Sequence, residues 1–117
     1  MLVHLVTDNH IHGSKEGLAQ HVEDKVKHAL DRFSTQITRV DVHLHDDNAQ
    51  KHGANDKRCV VEARPAGLQP VSVHHSAETV EESLVGALDK LEKVLDKTME
   101  KHNHHKGRTS FGGEQSI

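Results

Sequence analysis

Two stretches of this chain carry long helical stripes of apolar residues, and each stripe needs an apolar surface to lie on. From Lys15 to about Ser34 the apolar positions are Leu18, Val22, Val26, Ala29, Leu30 and Phe33, the spacing of one helix face. From Val80 to about Lys101 they are Val80, Leu84, Leu88, Leu91 and Leu95. Ser14 stands where it can cap the first helix, and Thr79-x-x-Glu82 matches a capping box ahead of the second. Gly17 weakens the first turn by up to ~1 kcal/mol relative to Ala.

The remaining segments alternate with period two, and they supply the surface. LVHLVT over 2–7 predicts a short strand with Val3 and Leu5 inward, followed by a turn over Asp8 to Gly13. ITRVDVHLHDD sets Val40, Val42 and Leu44 against Asp41, His43 and His45, a half-buried strand. After the polar connection AQKHGAND, KRCVVEAR reads as a strand with Cys59, Val61 and Ala63 inward. Pro65, Gly67 and Pro70 mark the next turn, and VSVHH is a fourth short strand. The order β-α-β-β-β-α gives a two-layer α+β sandwich, with two helices on one face of a four-stranded sheet.

At ~150 residues per domain, 117 residues make one domain. It is expected over 1–101, with 102–117 a flexible tail lacking periodicity. No apolar run approaches the ~18 residues of a membrane span. MLVHLVTDNH lacks the basic and apolar regions of a signal peptide, so a cytoplasmic protein is expected. The single Cys59 rules out an internal disulfide and any CxxC motif. Apart from histidine the only aromatics are Phe33 and Phe111, too few for stacking bases of single-stranded RNA. The 13 histidines mean that the formal charge of −3 turns positive in mild acid.

The polar helix faces are sorted by sign. At ~100° per residue, Lys90, Lys93, Lys97 and Lys101 fall within ~80° of one another, while Asp89, Glu92, Asp96 and Glu100 form a separate stripe. In the first helix His21, Lys25, His28 and Arg32 share one flank, with Asp24 and Asp31 beyond. A basic flank beside an acidic back suits the presentation of cations to phosphates. Alternatively the charges are ordinary i,i+4 decoration worth ~0.2–0.5 kcal/mol per pair. The sequence leaves open whether the two basic stripes meet.

His43 and His45 share a strand face, and His4 and His74 are expected to point the same way. His-x-His on a strand can supply two imidazoles to zinc, which keeps a histidine-based metal-binding protein open as a reading, although no bound metal or cofactor is predicted. His102, His104 and His105 form a second cluster in the expected tail. Ser14, Ser34 and Ser76 have no G-x-S-x-G context, and no Gly-rich phosphate loop follows a strand. Cys59 reads as a buried structural thiol. No catalytic residue and no small-molecule substrate are predicted.

EGLAQHVEDKVKHALDRF over Glu16 to Phe33 resembles the first helix of the ribosome hibernation-promoting factors and ribosome-associated translation inhibitors. ITRVDVHLHDD resembles the strand that follows it, and ALDKLEKVLDKTMEKHNHHKG is similar to the family's second helix. The resemblance covers 2 to about 106, in the family's short form. It implies a fold related to double-stranded RNA-binding domains and a non-enzymatic protein. It also implies binding to the small ribosomal subunit and its 16S-type rRNA, in the mRNA and tRNA channel, with translation blocked under stress. The implied RNA contacts are Lys25, His28 and Arg32 together with Lys90, Lys93, Lys97 and Lys101. Glu81 stands near a position where the family has Tyr, which supports a second reading: a protein-interaction module of the same fold that has lost RNA binding.

Overall fold

The computed structural model describes residues 1–8, 15–46 and 57–108, excluding the side chains of 15–16 and 102–108. The Ser14 cap, the turn over 9–13, the connection over 49–56 and Phe111 lie outside the described residues. The elements are β1 (Leu2–Thr7), α1 (Lys15–Ala29), β2 (Ile37–Asp46), β3 (Lys57–Pro65), β4 (Val71–Ala77) and α2 (Val80–Arg108). The sheet order is β1-β2-β3-β4. β1 runs parallel to β2, and the other neighbours are antiparallel. A parallel pair needs a crossover, and α1 provides it.

The inward parities are those predicted. Val40, Val42 and Leu44 of β2 and Cys59, Val61 and Ala63 of β3 are buried, while Val3 and Leu5 pack against this core from the edge. Val22 and Val26 of α1 and Leu84, Leu88, Leu91 and Leu95 of α2 cover them. Fully burying a side chain of this size contributes about 1.5–3 kcal/mol. Ile37, Ala87 and Met99 complete the core.

Both helices differ from their predicted ends. α1 stops at Ala29, and Asp31–Phe33 forms a 3-10 turn. There the bonding tightens from Leu30 N–H to Val26 O to Phe33 N–H to Leu30 O, which keeps Phe33 buried while the chain turns toward β2. α2 continues as helix through Arg108, beyond the end expected near Lys101. Its start has the predicted cap: the Glu82 N–H donates to Thr79 Oγ1 at 3.1 Å, and Thr79 Oγ1 donates to Glu82 Oε1 at 3.0 Å. The β3–β4 turn closes with Leu68 N–H donating to Pro65 O at 3.2 Å. Gly67 adopts φ 74° in it, a left-handed conformation that favours glycine.

Candidate nucleic-acid interface

The flank of α1 that carries His21 and Lys25, continued beyond its end by Arg32, faces α2. His21 Nε2 donates to Glu81 Oε1 at 2.5 Å, and Lys25 Nζ lies 3.3 Å from Glu81 Oε2. Just past α1, the Arg32 guanidinium grips Asp96 with two bonds of 2.5 and 2.7 Å. The guanidinium also sits 4.5 Å above the Phe33 ring, a cation–π arrangement. Early residues of α1 therefore meet the start of α2, and later ones meet its middle, so the two helices run in the same direction.

These contacts correct the expected acidic back at one of its positions, Asp96. Glu81 and Asp96 lie on the inner flank of α2, toward α1, where they neutralise the basic stripe of the first helix. The hydrogen bond from His21, with Lys25 beside it, holds the Glu81 carboxyl below its usual range. The Arg32 bonds likewise lower Asp96, and Asp96 in turn raises Arg32. His28 is exposed on the same helix.

The lysine row occupies the other flank. At ~100° per residue, Lys90, Lys97 and Lys101 lie about 100–180° round α2 from Glu81, Glu92 and Asp96, with Lys93 nearer, about 60° from Asp96. The two predicted basic stripes are thus separated by acid and do not meet. Lys90 Nζ donates to His74 O of β4 at 3.0 Å. Lys93 Nζ reaches Asp89 at 3.3 Å one turn back. Lys97 and Lys101 are exposed and form no ion pair among the described residues. At the start of α2 an open hollow of about 740 Å³, lined by Glu78, Glu81, Glu82 and Val85, has the wrong sign for phosphate.

On the outer sheet face His4, His43, His45 and His74 point the same way, as the parities predict. The His43 and His45 rings stack with centroids 6.4 Å apart and planes 8° from parallel. Among the described residues no group of three or more His, Cys, Asp or Glu is placed to hold a metal ion. Cys59 is fully buried, and burial pushes its thiol up to about 12, which removes the reactive thiolate. No described helix is long and apolar enough to cross a membrane. Sequence reasoning missed the roles of Glu81 and Asp96 as partners of the first helix. The period of charge on each helix was visible, but which flank faces which depends on how the helices pack.

Solved structures share this architecture, two of them as follows. A ribosomal subunit interface protein from Coxiella burnetii superposes with a TM-score of 0.65 at 13% identity, over 85% of this chain and 98% of that one. The N-terminal domain of Protein Y from Thermus thermophilus gives 0.66 at 16% identity, over 84% and 99%. Comparison with curated proteins finds no match. A mixed four-stranded sheet carrying two parallel helices on one face defines the class as an α+β two-layer domain. Residues 6–103 match the sigma-54 modulation protein / S30EA ribosomal protein family, and the chain belongs to that family.

Proposed function

We propose that this protein binds the small ribosomal subunit at its rRNA, in the mRNA and tRNA channel, and blocks translation while ribosomes are held in reserve under stress. It acts in the cytoplasm, by occupying space and without catalysis. The observation that carries this reading is the exposed lysine flank of α2 on a chain of a ribosome-associated family. Lys97 and Lys101 are the leading contacts, because among the described residues they have no carboxylate to give up. Lys93 joins them by leaving a weak i,i+4 pair with Asp89. Lys90 serves β4 first, and Lys25 and Arg32 must exchange Glu81 and Asp96 for phosphate. His28 is exposed and lies toward the same end of α1 as Arg32. Phosphate contacts and fold shape supply affinity and orientation, and no aromatic platform is available for reading bases.

Co-sedimentation with purified small subunits tests this. The wild type should associate at low salt and dissociate as salt rises, since each neutralised phosphate contributes a slope of ~−0.7 to −0.9. Lys93→Glu/Lys97→Glu/Lys101→Glu should fail to associate while melting normally. Normal co-sedimentation of that variant would remove the lysine flank from the mechanism. Association that is insensitive to salt as well would favour a protein-interaction module, the reading that Glu81 supports by neutralising His21 and Lys25.

A further inference from the structure

The outer face of the sheet, away from both helices, sets like charges directly across from one another. Arg39 of β2 lies opposite Arg64 of β3, and in the next row on that face Asp41 lies opposite Glu62. Directly opposed residues have Cβ atoms about 4.5–5.5 Å apart, where like charges destabilise a sheet. Each arginine instead finds its carboxylate along its own strand. Arg39 Nε donates to Asp41 Oδ1 at 2.9 Å, and Arg64 Nη2 lies 3.5 Å from Glu62 Oε1. Exchanging the residues within one of these strands would pair opposite charges across the sheet, so strand pairing does not account for the arrangement.

Exposure is also unequal. The Arg39 and Arg64 side chains are 44% and 54% exposed, whereas the Asp41 side chain is 11% exposed. Solvent therefore meets both guanidiniums together with part of the Glu62 side chain, which is 35% exposed, while the Asp41 carboxylate is tucked beside Arg39. Asp41 occupies Nε of Arg39 and leaves its terminal amino groups available. A guanidinium fork matches phosphate oxygens in a bidentate way, and two forks side by side can hold one phosphate or two successive ones.

We propose that Arg39 and Arg64 form a second phosphate-binding site, for the RNA backbone, on the opposite side of the sheet from the helices. The proposal rests on the reading that the partner is RNA. It adds a face which that reading does not use: the protein meets RNA on both sides.

Binding of a short labelled RNA duplex, measured across a salt series, separates the two faces. Arg39→Gln/Arg64→Gln should bind roughly tenfold or more weakly, the loss of one or two charge-assisted contacts. Its salt slope should shrink by about 1 to 2, at ~0.9 per phosphate. Glu62→Gln leaves both arginines in place and frees Arg64, so it should bind more tightly than wild type even if the double variant folds poorly. If both bind the duplex like wild type with unchanged slopes, the site is refuted. Tighter wild-type binding to an acidic peptide than to the duplex would also overturn it. Lys97→Glu/Lys101→Glu is measured beside them. Loss of binding in that variant alone refutes the arginine site and keeps the helix interface, loss in the arginine variant alone does the reverse, and a wild type that binds no RNA overturns both.

Discussion

Gly86 lies inside α2, where glycine costs ~1 kcal/mol relative to alanine. The ring of His75 from β4 explains its presence. A Cβ at Gly86 would lie 2.1 Å from His75 Cδ2, 2.5 Å from Nε2 and 2.6 Å from Cγ. Non-bonded carbons rest at about 3.5–4.0 Å, so Gly86→Ala must push the ring aside by about 1.4 Å or more. His75 is only half-buried, so the ring can move, at an overpacking cost of about 1–3 kcal/mol. Subtracting the ~1 kcal/mol gained in helix propensity leaves Gly86→Ala destabilising by about 0–2 kcal/mol. In a His75→Ala background the obstacle is gone, and the same substitution should stabilise by about 1 kcal/mol. Urea unfolding of the four proteins of this cycle measures the change of sign, a coupling of about 1–3 kcal/mol. If Gly86→Ala stabilises both backgrounds equally, the ring yields without cost and close approach does not explain the glycine.

Three other outcomes follow from features of the structure. The hydrogen bond from His21 holds the Glu81 carboxyl below its ordinary value in the folded state, so its share of stability is present above that ordinary value and lost as pH falls through the lower folded one. Glu81→Gln should therefore flatten the acid limb of a plot of urea midpoint against pH, and an unchanged limb would count against the His21–Glu81–Lys25 contact. Thr79→Ala removes the acceptor of the Glu82 N–H and should cost about 0.5–2 kcal/mol by thermal or urea unfolding. Cys59, buried and with its thiol pushed up to about 12, should resist a thiol reagent at neutral pH until the protein is unfolded. Rapid labelling of the native protein would contradict that placement.

The strand parities were readable because period-two alternation marks the buried face of each strand independently of its partners. Val40, Val42 and Leu44 show this, as does Cys59 among Val61 and Ala63. The Thr79–Glu82 cap was readable for the same reason, since its bonds span a single helical turn. The end of α1 was less visible: Leu30 and Phe33 continue the apolar stripe, yet a 3-10 turn also brings residues three apart onto one side. The continuation of α2 past Lys101 carries no apolar signal, because residues 102–108 read HNHHKGR. The sorting of charge by sign was visible on each helix, but which flank faces which is set by tertiary packing. The parallel course of α1 and α2 turns Glu81 and Asp96 toward the basic flank of the first helix and leaves the lysines on the far side. Likewise the opposition of Arg39 and Arg64 is a matter of register between β2 and β3, which neither strand encodes alone.

The bond from Lys90 to the carbonyl of His74 bears on how this protein behaves when crowded. β4 is the last strand of the sheet, and the margin of a sheet is a template onto which another chain can add a strand. A lysine head held against that margin occupies an acceptor and places a hydrated positive charge where an incoming strand would have to lie. The first lysine of the α2 row thus shields one backbone acceptor of that margin from strand addition. A substitution there that was intended to alter only surface charge would also leave the His74 carbonyl open to an added strand.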